Sequence, residues 1–496
     1  MVDYDAVVIG AGNGGLTAGL TLARAGVKTL MLERHNIPGG CATSFVRGRF
    51  EFEVALHQLS GMGTESFPGP LRSMLNDLDV IKDLDFVQMK NLYRAIIPGQ
   101  MDVTLRADRG EAIQALKAKF PQETSGIDGF FDLVWAFCNQ WVHVAIMRDP
   151  EASPEKYPIY FQYALKDTQT VLNAFLKNPL LQSAVSIYWS YMGMPPSRLP
   201  FGDFAIIFWA YTEFKPFHIK GGSQALSSTL LNAYMEAGGE VRFNCGVQKI
   251  MVQNNRTKGV VTDQGDEISA QRIISNAGSY TTYVDLIDRE HVPEERWREL
   301  GARTVGTSAV TVFLGMDAEP EDLGIRETTN FITDTTDNDL TFATFKTLDS
   351  PKAMLFTCYD VDDPDFSPKG ACQAAIVSLA YSEPWLSIPT TRYYETKYRY
   401  AQDMLNTLYK VFPNCKNHIE EMDVATPLTH MRYLGHPGGA IYGFEQSAKD
   451  SELFLDSASP IEGLYHAGAF AGMGGFQPTL MSGQSAARKV IRSLQK

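Results

Sequence analysis

What the chain has little of narrows it first. Its 496 residues hold only six cysteines, at positions 41, 138, 245, 358, 372 and 415. None forms C-x-x-C or another metal-ligand spacing, so no metal site is expected and the thiols read as reduced and mostly buried, as in a cytoplasmic protein. Positive charge is in deficit: 44 Lys and Arg stand against 57 Asp and Glu, a net charge of −13. That balance argues against nucleic acid and against electrostatic docking on anionic lipid. No apolar run approaches the roughly 20 residues of a membrane span; the longest of note is 204–211. Strand pattern already begins by Asp5, so no signal peptide is expected. The reading is a cytoplasmic protein that does not span a membrane, with peripheral membrane contact and oligomeric state left open. Repeats, low-complexity tracts and linkers are missing too. No Ser–His–Asp set or paired-carboxylate motif stands out.

What is present is one N-terminal unit, residues 4–40, YDAVVIGAGNGGLTAGLTLARAGVKTLMLERHNIPGG. Residues 5–9 are a β-branched apolar run, the pattern of a buried parallel strand. Gly10, Gly12 and Gly15 then form G-x-G-x-x-G, with Asn13 and Gly14 inside it. Leu16, Leu20, Leu22 and Ala23 follow at helical spacing to a stop at Ala25-Gly26. Residues 29–32 make a second strand that ends at Glu33. Gly10 permits the tight turn, Gly12 lets a pyrophosphate reach the backbone, and Gly15 lets the helix lie close to the sheet. The helix start offers unpaired N–H groups to phosphates, and Glu33 can accept hydrogen bonds from a ribose diol. A bound dinucleotide follows, with Arg34 beside the acid.

What comes after Glu33 selects the dinucleotide. A nicotinamide domain would continue with another crossover helix. Here Pro38-Gly39-Gly40-Cys41-Ala42-Thr43 comes directly, then FEFEVALH at 50–57. This resembles the FAD fingerprint of the amine oxidase and phytoene desaturase superfamily. The run GRFEFEVALHQLSGMG at 48–63 is most similar to the carotenoid isomerase and retinol saturase branch, which reads roughly G-F-x-F-D-x-G-x-H/S. The chain departs with Glu53 for the usual Asp and Ala55 for the usual Gly. Further matches occur in the family's order. Lys220-Gly221-Gly222 resembles the element that returns the chain to the FAD domain. Residues 427–434 (PLTHMRYL) and 437–443 (PGGAIYG) resemble the T-P-x-T-x-x-x-Y-L…G-x-x-Y-G signature. FAGMGGFQ at 470–477 resembles the C-terminal glycine loop, although Gly468-Ala469 lacks the acid many relatives carry. No second strand–glycine turn–helix–strand–acid unit is found, so a single FAD and no NAD(P) domain are expected.

The resemblance implies an α/β fold: a Rossmann-type FAD-binding domain, glutathione reductase and amine oxidase-like, with an interleaved α+β substrate domain. The FAD domain would take 1–100, 219–289 and 420–496, and the split substrate domain 101–218 and 290–419. FAD would be bound non-covalently by Gly10, Gly12, Asn13, Gly14, Gly15, Glu33, Arg34, Gly40, Cys41, Ala42, Val247, Gly468, Ala469, Gly475, Phe476 and Gln477. Val247 enters as an adenine contact. His57, His430, Arg432 and Tyr433 are the catalytic candidates, with Gln58, His436 and Tyr442 also in motifs expected near the flavin ring. The activity implied is an FAD-dependent oxidoreductase of a C–C single or double bond, a desaturase or saturase, acting on an apolar isoprenoid or carotenoid-like substrate with an unidentified electron donor or acceptor. The alternatives are a redox-neutral isomerase or hydratase, a desaturase of a small alicyclic substrate and, remotely, a non-enzymatic prenyl carrier.

Elsewhere the pattern is coarser. Residues 65–110 lose clear periodicity but hold turn signals at Pro68-Gly69-Pro70 and Pro98-Gly99, and 93–97 and 101–105 read as a strand pair around the second. Residues 111–147 read as helical. Residues 155–218 hold a surplus of aromatics that suits either a helical core or an apolar substrate pocket. Strands are expected at 240–243, 247–252, 258–262, 272–275, 308–314, 353–358, 373–380 and 464–469. Helices are expected after Gly222, over 393–411 and from Pro478.

Overall fold

The computed structural model describes residues 2–450, 458–472 and 474–495. Met473 of the glycine loop lies outside them. Strands in the N-terminal half are β1 (Tyr4–Ile9), β2 (Thr29–Leu32), β3 (Ser44–Arg47), β4 (Phe50–Glu53), β5 (Phe86–Gln88), β6 (Asn91–Ile97), β7 (Met101–Arg106) and β8 (Phe217–Ile219). Then come β9 (Glu240–Arg242), β10 (Val247–Gln253), β11 (Arg256–Thr262), β12 (Glu267–Ser275) and β13 (Ser308–Met316). The last are β14 (Thr329–Thr333), β15 (Ala353–Cys358), β16 (Cys372–Ala380), β17 (Ile419–Ala425) and β18 (Leu464–His466).

The first sheet has β9, β2, β1, β12 and β18 side by side, all parallel. The long β12 also begins an antiparallel meander with β11 and β10. Period-two alternation on β1 explains the layers. Ala6 and Val8 pack against the helices Asn13–Arg24, Gly222–Glu236 and Phe476–Leu494, while Val7 and Ile9 pack on the meander side. With both faces covered, β1 and β2 need the apolar runs the sequence shows. No crossover helix follows β2; the β3–β4 hairpin stands there instead.

The second sheet runs β17-β13-β16-β15-β14-β6-β7, antiparallel except for β14 with β6. All nine residues of β13 are buried. Val310, Val312, Leu314 and Met316 face the core that includes the Thr390–Val411 helix, and Ala309, Thr311 and Phe313 face a cavity. This sheet takes β6 from within residues 1–100, and β17 lies across residue 420, so it crosses the sequence-derived boundaries at two strands.

Helices Thr124–Trp141, Thr168–Phe175, Pro179–Ser186 and Phe201–Glu213 form an apolar lobe. Its aromatic surplus divides. Phe130, Phe131, Phe137, Tyr188, Phe204 and Phe208 are core, whereas Trp141, Tyr191, Trp209 and Phe214 line the cavity. Residues 65–110, read as losing clear periodicity, hold the Pro70–Asp77 helix, and β14 also lacked a sequence signal. The final helix starts at Phe476, two residues before Pro478. No helix among the described residues is long and apolar enough to cross a membrane.

Candidate active site

One cavity of about 1810 Å³ runs from the glycine turn after β1, under the second sheet and into the apolar lobe. The turn is built by close approach. A Cβ on Gly15 would sit 1.8 Å from the Gly10 carbonyl oxygen. One on Gly12 would sit 2.8 Å from Asn276 Nδ2, and one on Gly14 would sit 2.6 Å from Asn276 Oδ1 and 2.7 Å from the Gly468 nitrogen. Asn276, at the end of β12, is thus the plate against which the glycine cradle is pressed. The strand expected from sequence, 272–275, stops just short of it; an amide directly after the strand beside β1 was the available signal. Gly39 docks on this turn too, donating its N–H to the Ala11 carbonyl at 2.8 Å.

The helix after this turn is capped by Gly12, with no side-chain hydrogen bond and no acid in its first turn. The Phe476–Leu494 helix starts at Gly475 in the same state. Both starts reach the cavity wall, so two sets of unpaired N–H groups and two positive helix ends face one space. Asn13 Oδ1, on the same wall, is buried without a partner among the described residues.

Glu33 is buried at the end of β2. Its Oε2 accepts the Ala11 N–H at 2.6 Å and its Oε1 accepts the His35 N–H at 2.8 Å. Arg34 donates to the carbonyl oxygens of Tyr433 at 2.7 Å and Arg432 at 3.4 Å, the negative end of the Pro427–Leu434 helix. The His35 and Tyr433 rings meet edge-on at 5.6 Å. The backbone of Arg432 and Tyr433 therefore stands beside the acid-tipped strand. Val247 is on the wall as well.

Gly40, Cys41, Gly468, Ala469, Gly475, Phe476 and Gln477 all line the cavity; Gly15 and Ala42 do not. Gly15 acts through helix contact, and Ala42 is buried with its carbonyl bonded to Ser227 Oγ. Burial pushes the Cys41 thiol up to about 11, so it stays protonated. Gln477 Oε1 accepts from Ser60 Oγ at 2.8 Å, which ties the C-terminal loop to the segment carrying His57 and Gln58.

His57 lines the cavity with Nδ1 3.1 Å from Thr357 Oγ1 on β15. Burial pushes its pKa down to about 4, so it is neutral near pH 7. His430, also on the wall, is likewise pushed down to about 4, and its Nε2 has no hydrogen-bond partner among the described residues. His436 is lowered by burial and has Nδ1 2.9 Å from the Ala440 carbonyl oxygen. Among the described residues no hydrogen bond links His57 to His430, Arg432 or Tyr433. The cavity brings the four together as wall residues rather than as one bonded cluster.

These features fit FAD. A partnerless buried amide oxygen, glycines whose Cβ atoms would fill the cradle and two open helix starts all suit a long anionic ligand. Gly12, Gly14 and Asn13 would hold its pyrophosphate, Glu33 its ribose and the start of the Phe476–Leu494 helix its flavin edge.

Comparison with known proteins agrees. The family model described as flavin containing amine oxidoreductase matches residues 14–491. An all-trans-retinol 13,14-reductase of Danio rerio is 25% identical over 522 residues, covering 96% of this chain and 84% of that protein. A chloroplastic prolycopene isomerase of Daucus carota is 24% identical over 499 residues, covering 95% and 77%. A solved oxidoreductase from Methanosarcina mazei shares the fold with a TM-score of 0.68 at 16% identity, covering 99% of this chain and 100% of that one.

Proposed function

From the premise that this chain belongs to the family of flavin containing amine oxidoreductases, we propose that it acts on a C–C single or double bond of an apolar, isoprenoid substrate. Its cofactor is FAD, and it is an FAD-dependent oxidoreductase. The observation that carries the substrate reading is the continuity of the cavity: the cofactor cradle opens without a break into a lobe walled by Trp141, Ile206, Trp209 and Phe214. An apolar pocket with few polar groups suits a hydrocarbon-like ligand. The retinol and prolycopene named for the two relatives are both isoprenoids.

FAD supplies hydride chemistry when bound. The chain's part is orientation, exclusion of water and proton handling. The open start of the Phe476–Leu494 helix offers positive potential to a developing negative charge. Neutral His57 and His430 can accept a proton but are weak reservoirs of one, since both titrate near 4. Arg432 and Tyr433 serve the cofactor's nucleotide end better than the reacting bond, given their backbone contacts to Arg34. The division into a cofactor domain and a substrate domain follows the two sheets, with β6 and β17 assigned to the second.

Ile146 is exposed and also lines the cavity, and its neighbour Met147 is exposed too. This favours entry of substrate from an apolar phase at a membrane surface. The electron partner is a separate small molecule or protein that meets the same flavin.

The test is anaerobic mixing of oxidised and reduced holoprotein with retinoids and carotenes, following flavin absorbance and product. Bleaching of oxidised flavin indicates desaturation, reoxidation of reduced flavin indicates saturation, and altered substrate with no net flavin change indicates isomerisation. Absence of all three with every polyene rejects the reading.

A further inference from the structure

The walls of the apolar lobe carry a polar node around Gln58. The carboxamide is fixed: Nε2 donates to the Leu92 carbonyl at 2.6 Å, and Oε1 accepts from Tyr188 at 3.2 Å. Its backbone carbonyl accepts from the Tyr211 hydroxyl at 3.0 Å. Tyr188 is fully buried; its ring stacks on Tyr191 at 5.2 Å and tilts against Tyr211 at 5.0 Å. Two hydroxyls on the cavity wall are left over. That of Tyr191 reaches Gln58 Oε1 only at 3.5 Å, the limit of a hydrogen bond. That of Tyr442 has no hydrogen-bond partner among the described residues, and Tyr442 is an electrostatic neighbour of both Tyr191 and Tyr211. Gln58 Nε2 is tied to the Leu92 carbonyl, and the two tyrosines offer their O–H groups to the cavity.

We infer that Tyr191 and Tyr442, backed by Gln58 and Tyr211, receive one neutral acceptor oxygen of the substrate, a carbonyl in preference to a hydroxyl, and so select oxygen-bearing apolar molecules over plain hydrocarbons. This rests on the reading that the lobe takes substrate. Both phenols can donate to one carbonyl oxygen, whereas a hydroxyl brings a proton of its own that takes up one phenol as acceptor, and a ligand without oxygen would seal the phenols away from water unpaired. Burial pushes the tyrosine hydroxyls upward, so they remain donors near neutral pH. A carboxylate is disfavoured because no cation belongs to the node and an unpaired charge is costly to bury.

The test uses the flavin-loaded protein and quenching of tryptophan emission, because Trp141, Trp189 and Trp209 line the cavity. Dissociation constants are measured for all-trans-retinal, all-trans-retinol, all-trans-retinoic acid and axerophtene, the hydrocarbon of the same skeleton. Retinal should bind at least about tenfold more tightly than axerophtene or retinoic acid, with retinol between. Tyr191→Phe and Tyr442→Phe should each weaken retinal by about threefold or more and leave axerophtene unchanged. Axerophtene binding as tightly as retinal, or equal losses for both in the variants, overturns the inference. The wild-type ligand series alone decides it if a variant does not fold. 2-Acetylnaphthalene and 2-ethylnaphthalene separate this from the isoprenoid reading. A ketone preference that the variants abolish, without retinoid binding, keeps the oxygen site and rejects the isoprenoid. No preference in either set rejects the oxygen site.

Discussion

Replacing Glu33 with alanine tests how far the cofactor site and the fold are one object. The residue types alone suggest a carboxylate that serves only the ribose, so its loss would lower FAD affinity and spare the fold. The structure gives it a second duty. One oxygen accepts the Ala11 N–H inside the glycine turn at 2.6 Å and the other the His35 N–H at 2.8 Å. Ala11 is fully buried. Glu33→Ala therefore leaves a buried N–H unpaired, at about 1–3 kcal/mol, and removes a second charge-assisted bond from a less buried group. The apoprotein should lose about 2–4 kcal/mol of stability before any cofactor is added. FAD affinity should fall by a further 1.5–3 kcal/mol, roughly ten- to a hundredfold, from the lost ribose contacts. Urea unfolding of the apoprotein reads the first number, and flavin fluorescence titration reads the second. Glu33→Gln is the control: its amide oxygen can satisfy one N–H but its NH2 faces the other, so it should fall between. Unchanged apoprotein stability in Glu33→Ala would refute the claim that the acid holds the turn.

Four further outcomes are expected. Gly14→Ala should cut flavin loading at least about tenfold, because its Cβ falls within 2.7 Å of both Asn276 Oδ1 and the Gly468 nitrogen, and overpacking of this kind costs about 1–3 kcal/mol; flavin absorbance per chain measures it. His466 is pushed down to about 4 by burial and by Arg296 and Lys489, so its stabilising contribution is complete above about pH 6.5 and is lost as pH falls through 4, by at most about 3 kcal/mol; His466→Gln should flatten the dependence of the urea midpoint on pH over that window. FAD should leave entirely with the supernatant on denaturation, since the Cys41 thiol stays protonated; flavin retained on the denatured chain would contradict a non-covalent site. Ile146→Asp with Met147→Asp should reduce co-sedimentation with neutral phosphatidylcholine vesicles and leave flavin content full, whereas unchanged sedimentation would remove the membrane-side entry.

The parts legible in sequence are those where local pattern and tertiary role coincide. β2 was readable to the residue because both its faces are buried, so it is Leu-Met-Leu after a β-branched Thr29 and Glu33 ends the run. β15 was readable for the same reason. β14 (TNFIT) was not, because its polar residues are buried as well: Asn330 sits inside the sheet with its amide donating to the Glu327 carbonyl oxygen. The Pro70–Asp77 helix spans barely two turns and shows only one buried stripe, Leu71, Met74 and Leu75. In the site, the glycines announced themselves through motif spacing. Asn276 and the Gln58 node did not, because their roles arise from segments far apart in the chain that meet only after folding. Arg432 and Tyr433 were grouped with His57 through motif order, and all three line the cavity.

The departures at Glu53 and Ala55 follow from one arrangement. Glu53 ends β4, and its Oε1 turns back to accept the N–H groups of Ala55 at 3.0 Å and Leu56 at 2.9 Å. That fixes the bend from which His57 and Gln58 enter the cavity. Its Oε2 accepts the Ser223 N–H at 2.6 Å in the first turn of the Gly222–Glu236 helix, whose N-cap, Gly221, has no side chain to do so. An acid at a helix start also meets the positive end of the dipole. The extra methylene of glutamate over the usual aspartate gives one carboxylate the reach to serve both segments. The K-G-G element answers this demand: a Cβ on Gly222 would fall 2.6 Å from Glu53 Oε2, and Gly222 has φ +68°. Ala55 is not among the residues with positive φ, so this bend has no need of the glycine that relatives carry there. The acid is thus the joint between the hairpin that follows the nucleotide unit and the helix that brings the chain back to it.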